Sequence, residues 1–124
     1  MKPKSKYILI TGTSSGIGYG AAKELIGRGY YVFGSVRRKE DGERVRSELG
    51  ERFIPLLFDV TDQAAIDRSV EEVRSHLGNS GHGGLINNSG VSVSGPVEHL
   101  DIEKVAYNFN VNVLGVFRVT KAFL

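Results

Sequence analysis

The sequence contains no cysteine among its 124 residues, which excludes a disulfide framework, thiolate catalysis and Cys-ligated zinc. Long hydrophobic runs are missing too, because no stretch approaches the roughly eighteen consecutive apolar residues of a membrane span. Near the N-terminus the apolar run covers only Tyr7–Ile10, which is too short for a signal peptide. These absences predict a cytoplasmic protein without a membrane partner.

The net charge is also low: the sequence has 16 Lys and Arg and 14 Asp and Glu, which gives a formal net charge of +2. Most of the basic residues alternate with acids, as in residues 40–52, and such a pattern is typical of a solvated surface. We therefore expect no nucleic-acid partner. Glycine, in contrast, is abundant at 16 residues.

Short apolar runs alternate with helical patterns along the whole chain. Strands are predicted at residues 7–10, 30–36 and 53–58 and from Leu85. Helices are predicted at residues 17–26 and 40–49, from about residue 62 to residue 77, and from residue 102 into the C-terminus. Thr61 or Asp62 is the expected cap of the third helix, and Pro55 is an unusual residue for a central strand. The alternation predicts one α/β domain over residues 1–124, with parallel strands and helices on both faces of the sheet.

A glycine-rich turn, TGTSSGIG at residues 11–18, lies between the first predicted strand and helix. Gly12 permits a sharp turn, Gly16 keeps side-chain atoms away from a pyrophosphate, and Gly18 lets the helix approach the sheet. The helix N-terminus would offer unpaired N–H groups to the phosphates. A loop that binds nothing is the alternative. The turn predicts dinucleotide contacts from Gly12, Ser14, Ser15, Gly16, Ile17 and Gly18.

Three further segments follow in order: Asp59 and Val60, NNSG at residues 87–90, and NVLG at residues 112–115. Together with the turn, they resemble the short-chain dehydrogenase/reductase family over essentially the whole chain. The resemblance implies a Rossmann-type doubly wound sheet, truncated after about four strands. It also implies cofactor contacts from Asp59, Val60, Asn88 and Gly90, a tie between neighbouring strands through Asn87, and a catalytic-site role for Asn112.

The end of the second predicted strand, SVRR at residues 35–38, bears on the choice of cofactor. An acid there would bind the ribose 2′-hydroxyl of NAD, whereas an arginine accommodates the 2′-phosphate of NADP. NADP is therefore favoured over NAD, with Arg37 the first candidate and Arg38 the second. Alternatively, both arginines only flank the next charged helix. Asp59 also has two alternative roles: its carboxylate accepts a hydrogen bond from adenine, or it caps the following helix.

The catalytic serine and Tyr-x-x-x-Lys pair of the family have no counterpart at the expected place. Only Tyr19 and Lys23 have that spacing, and their position on the predicted phosphate-binding helix indicates chance. The sequence is therefore expected to be the cofactor-binding portion of an NADP-dependent oxidoreductase acting on a small alcohol or carbonyl compound, and to be inactive alone. A stand-alone nucleotide-binding or sensing module is the alternative. A flavodoxin-like or receiver domain fits the alternation but not the glycine turn.

Two further expectations concern metals and assembly. His76, His82 and His99 lack the paired spacing of metal ligands, so no metal site is predicted. The fourth strand would be an exposed edge, and exposed edges pair with other chains. We therefore expect a homo-oligomer.

Overall fold

The computed structural model describes residues 6–78 and 80–124, so residues 1–5 and Asn79 of the predicted domain lie outside it. Four parallel strands form one sheet in the order β3-β2-β1-β4. The strands are β1 (Tyr7–Ile10), β2 (Tyr31–Val36), β3 (Phe53–Leu57) and β4 (Gly84–Ile86). The connecting helices are α1 (Gly16–Gly27), α2 (Lys39–Leu49) and α3 (Gln63–Leu77). The predicted α/β fold is confirmed. None of the described helices is long and apolar enough to cross a membrane.

Apolar clusters cover both faces of the sheet. Leu9 belongs to the cluster that α3 and the C-terminal helix cover, whereas Ile10 belongs to the cluster under α1 and α2. Neighbouring residues of a strand point to opposite faces, so one short strand supplies both clusters. Because both faces of β1 are covered, its sequence is apolar throughout.

One of the two edge strands of the described sheet is β3, and it carries Pro55. Among the described residues β3 pairs only with β2, where Pro55 lies opposite Gly34. An edge position tolerates proline because one side of the strand needs no ladder hydrogen bond. The unusual proline therefore marks the edge of this sheet rather than a break in the strand.

The C-terminal helix differs from its prediction as one regular helix. It comprises α4 (Ile102–Phe109) and α5 (Gly115–Phe123), joined by a π-helical segment, Asn110–Leu114, which we call the π turn. Gly115 N–H donates to Asn110 O, five residues back. The prediction of an uninterrupted α-helix is therefore wrong at this turn. Such π turns often occur at functional sites, and this one contains Asn112.

Of the two candidate caps of α3, Asp62 is the one that acts. Its Oδ1 accepts a hydrogen bond from Ala65 N at 3.1 Å. Thr61 instead donates both its N–H and its hydroxyl to Asp59 Oδ1. The loop between β3 and α3 is thus closed by two successive local turns.

Candidate functional site

The carboxyl ends of the strands surround an open cleft of about 240 Å³. This edge is where open α/β sheets bind their ligands. The cleft collects residues from four separate loops and from the C-terminal helix, and its lining residues run from Gly12 to Val111 in the sequence. The sequence-predicted residues that line it are Gly12, Ser14, Ser15, Arg37, Asp59, Val60, Asn88 and Gly90.

The glycines of the turn meet different requirements. Gly12 and Gly16 have φ angles of +71° and +63°, in the left-handed region that favours glycine. Gly18 is needed for space instead. A Cβ there would overlap the carbonyl oxygen of Gly12 and lie 2.5 Å from Asn88 Nδ2. The absence of a side chain at Gly18 thus brings α1 against the end of β1, as predicted.

The N-terminus of α1 is open at the cleft. Ser15 occupies the cap position, but its side chain makes no capping hydrogen bond in the described structure. A Cβ on Gly16 would meet no atom within 4 Å. Ser14 and Ser15, which immediately precede the helix, line the cleft, and a helix N-terminus at this position fits a pyrophosphate. Ile17 follows with its side chain 84% exposed and does not line the cleft.

Ser35 holds the glycine turn from the neighbouring strand, a role that the sequence analysis missed. Its hydroxyl accepts a hydrogen bond from Gly12 N at 2.9 Å, and its carbonyl accepts one from Thr13 N at 3.0 Å. Ser35 is only 2% exposed. A buried hydroxyl at the end of an apolar strand was the available signal, because a buried polar group needs a partner.

Asn88 joins the ends of β1 and β4. Its Nδ2 donates to Gly12 O at 3.0 Å, and its N–H donates to Thr11 Oγ1 at 2.9 Å. Asn87 instead reaches Thr120 Oγ1 on α5. The expectation that Asn87 ties the neighbouring strands is therefore wrong, since successive side chains of an extended segment point in opposite directions.

Three arginines surround the end of β2 in different ways. Arg37 is exposed and lines the cleft, whereas Arg38 is exposed at the start of α2 and does not line it. Arg44 was missed by the sequence analysis. It lies one turn into α2, and its Nη2 donates to Ser14 O at 2.6 Å. A guanidinium from α2 thus fixes a carbonyl of the glycine turn.

Asp59 lies in the cleft but does not cap α3. Its Oδ1 accepts hydrogen bonds from the N–H and the hydroxyl of Thr61, at 2.9 and 2.8 Å. The alternative of a helix cap is therefore wrong, because Asp62 has that role. Contact of Asp59 with an adenine ring stays a prediction.

Asn112 holds the far wall of the cleft through its amide. Its Oδ1 accepts a hydrogen bond from Val91 N at 2.9 Å, and its Nδ2 donates to Val91 O at 2.7 Å. The same Nδ2 donates to Asn108 Oδ1 at 3.0 Å. Gly90 is close by, since a Cβ there would lie 3.2 Å from Asn112 Oδ1. Val91, rather than Asn112, lines the cleft.

Comparison with known proteins identifies the family. The model of the short chain dehydrogenase family matches residues 6–124. The chain belongs to the short chain dehydrogenase family. The resemblance carried by the four sequence motifs is thereby confirmed.

Among curated short chain dehydrogenase relatives, the NADPH-dependent 3-dehydrocapnine reductase of Ornithobacterium rhinotracheale is 40% identical over 119 residues, covering 96% of this chain and 42% of that protein. The mitochondrial D-beta-hydroxybutyrate dehydrogenase of Bos taurus is 37% identical over 126 residues, covering 97% and 37%. A solved 3-ketoacyl-(acyl-carrier-protein) reductase from Brucella melitensis, complexed with NADH, superposes with a TM-score of 0.85 at 33% identity, covering 95% and 48%. The chain spans less than half the length of each.

For a short chain dehydrogenase, the Tyr19 and Lys23 pair is misplaced. Neither residue lines the cleft, and Tyr19 packs against the apolar cluster under α1 and α2. The interpretation of this pair as chance spacing therefore agrees with its position. Within residues 6–78 and 80–124, no group of three His, Asp or Glu side chains could hold a metal ion.

Proposed function

We propose that the chain is the NADP(H)-binding portion of an oxidoreductase that transfers a hydride between the cofactor and a small alcohol or carbonyl compound. One observation carries the proposal: the open N-terminus of α1, the glycine turn and Arg37 meet at one cleft. The bound cofactor supplies the hydride chemistry. The relatives' names mention both NADPH and NADH, so they support a nicotinamide cofactor without deciding between the two forms.

The chain's own residues bind and orient the cofactor in this proposal. N–H groups of residues 14–18 hold the pyrophosphate, because a helix N-terminus attracts negative charge. The guanidinium of Arg37 neutralises the 2′-phosphate and donates hydrogen bonds to it. Arg38 is the weaker candidate because it does not line the cleft. Asp59 and Val60 contact adenine, and Asn88 and Gly90 contact ribose.

Asn112 is the proposed catalytic-site residue of this chain, and it acts by positioning. Its amide oxygen and nitrogen are both engaged with Val91. The side chain therefore fixes the wall of the cleft rather than transferring a proton.

The cofactor preference can be tested by titrating the chain with NADPH and NADH and following cofactor fluorescence. We expect NADPH to bind at least about tenfold more tightly, the size of one charge-assisted hydrogen bond. Arg37→Gln should remove this preference. Arg74→Gln should leave it unchanged, since Arg74 pairs with Glu71 on an exposed face of α3. Tighter NADH binding would contradict the NADP assignment, and no binding of either cofactor would contradict the function.

A stand-alone nucleotide-binding or sensing module is the second candidate. It is compatible with the cleft, whose lining among the described residues contains nucleotide-binding motifs but no Tyr-x-x-x-Lys pair. The coding sequence downstream of Leu124 discriminates between the two. A serine followed by Tyr-x-x-x-Lys supports the oxidoreductase, and a stop codon supports the module.

Assembly and location complete the proposal. We infer a homo-oligomer, since β4 pairs only with β1 among the described strands and leaves its other edge free. No nucleic-acid or membrane partner is proposed, because the net charge is only +2 and the basic residues alternate with acids. A cytoplasmic location stays a prediction, and one relative is mitochondrial by name.

A further inference from the structure

Arg118 on α5 connects Val60 of the cleft with Asn110 of the π turn through hydrogen bonds to uncharged oxygens. Its Nη1 donates to Val60 O at 3.1 Å and to Asn110 O at 3.2 Å, and its Nη2 donates to Asn110 Oδ1 at 2.6 Å. No carboxylate pairs with Arg118 among the ion pairs of the described residues. Its contacts are therefore specific hydrogen bonds in a half-buried place rather than a surface ion pair.

Two of these bonds end on the first residue of the π turn. In a regular α-helix, Asn110 O would accept from the residue four positions later, but here it accepts from Gly115 N–H. The extra residue rotates the following helix by about 100° relative to an uninterrupted α-helix. Arg118 donates to the same carbonyl and to the same residue's side chain. Arg118 thus adds two hydrogen bonds to the π turn, the segment that rotates α5 relative to α4.

That rotation serves two contacts at once. Before and within the π turn, Asn108 and Asn112 hold Val91 on one side of the cleft. After it, Gly115 packs so closely against Val60 that a Cβ would lie 2.7 Å from Val60 Cγ2. Val60 and Val91 both line the cleft. The π turn therefore lies between the residues that hold Val91 and the residue that packs against Val60.

We propose that Arg118 is a positioning residue of the cofactor cleft: by bonding Asn110 and Val60, it keeps the π turn formed and fixes the distance between the Val60 and Val91 walls. The role of the cleft in cofactor binding rests on the proposed function above. A guanidinium suits this place because its planar fork reaches several acceptors in fixed directions, which an ammonium group cannot do.

The test compares Arg118→Met and Arg118→Lys with the wild-type chain by amide hydrogen exchange and by NADPH titration. In Arg118→Met, we expect the Gly115 and Val91 amides to exchange about tenfold faster or more, as expected for the loss of a charge-assisted hydrogen bond, while the β1 amides keep their protection. The dissociation constant of NADPH should rise by a similar factor. Arg118→Lys should recover only part of both effects, and Arg74→Met should change neither.

Each outcome decides a separate point. Unchanged exchange at Gly115 and Val91 in Arg118→Met contradicts the inference, as does faster exchange with unchanged NADPH affinity. If Arg118→Met does not fold, Asn110→Ala removes one acceptor alone, and it must accelerate exchange at Gly115 for the inference to stand. A wild-type chain that binds neither nicotinamide cofactor contradicts the proposed function, whereas the exchange measurements still report on the π turn.

Discussion

The glycines of the nucleotide turn show that one residue type meets separate physical needs within seven positions. Gly12 and Gly16 adopt positive φ angles, which cost other residues conformational energy. Gly18 has no such angle, but its missing Cβ leaves room for the carbonyl of Gly12 and the amide of Asn88. Substitutions at these positions should therefore fail for different reasons, backbone strain at the first two and overlap at the third.

Gly18→Ala should destabilise the chain by about 1–3 kcal/mol or more, because the added methyl group overlaps backbone atoms that cannot move independently. Gly20→Ala is the matched control on the same helix, since a Cβ there meets nothing within 4 Å. It should stabilise α1 by up to about 1 kcal/mol. Urea unfolding midpoints measure both effects. Equal midpoints for the two variants would show that α1 does not pack on β1 as described.

At the scale of elements, the glycine turn depends on helix α2 as well as on its own sequence. Arg44 donates to Ser14 O at 2.6 Å and pairs with Glu48 at 2.9 Å, so α2 and the turn are joined across 30 positions of sequence. The same helix begins immediately after Arg37 and Arg38. The bond therefore holds the proposed pyrophosphate site and the proposed 2′-phosphate site in one arrangement.

Arg44→Met should weaken NADPH binding by about threefold to tenfold, the range of one ordinary hydrogen bond, while changing the unfolding midpoint little. The small stability effect is expected because the Arg44 side chain is 46% exposed and exposed ion pairs contribute little. Arg28→Met is the control, since Arg28 pairs with Glu24 on an exposed part of α1. An NADPH affinity equal to that of the wild type would show that α2 does not position the turn.

The sequence was sufficient for elements whose signals are local. The run of apolar residues at β1, the glycines after it and the spacing of α3 each predict structure within one window, and all three are confirmed. The π turn has no such signal. The helix that follows it contacts Val60, more than 50 positions earlier in the sequence, through Gly115 and Arg118, and no local pattern contains that contact.

The residues of the candidate site also divide into those with a local sequence signal and those without one. Five predicted residues match known motifs by type and position, and the structure brings them to one cleft: Gly12, Ser14, Ser15, Asp59 and Asn88. Ser35 and Arg44 were missed because each acts on a backbone atom of a distant element. Their importance depends on the register of β2 against β1 and on the direction of α2, which no local pattern contains.

At the scale of the whole molecule, the C-terminal helix presents apolar side chains to solvent. Phe117 is 70% exposed and Phe109 is 60% exposed, with Val113 and Leu114 of the π turn between them in sequence. Exposed apolar patches of this kind mark interaction surfaces. Among the described strands β4 pairs only with β1, and an edge strand of this kind also favours association.

We therefore expect the 124-residue chain to associate with itself in a concentration-dependent manner, and Phe117→Glu to shift it toward the monomer. Burying one phenylalanine contributes about 1.5–3 kcal/mol, and a symmetric dimer would bury it twice. Light scattering over a concentration series measures the average mass. Ile17→Glu is the matched control, because Ile17 is 84% exposed on α1, away from the C-terminal helix. A wild-type chain that stays monomeric would contradict the homo-oligomer, and equal dissociation by both variants would exclude the C-terminal helix as its interface.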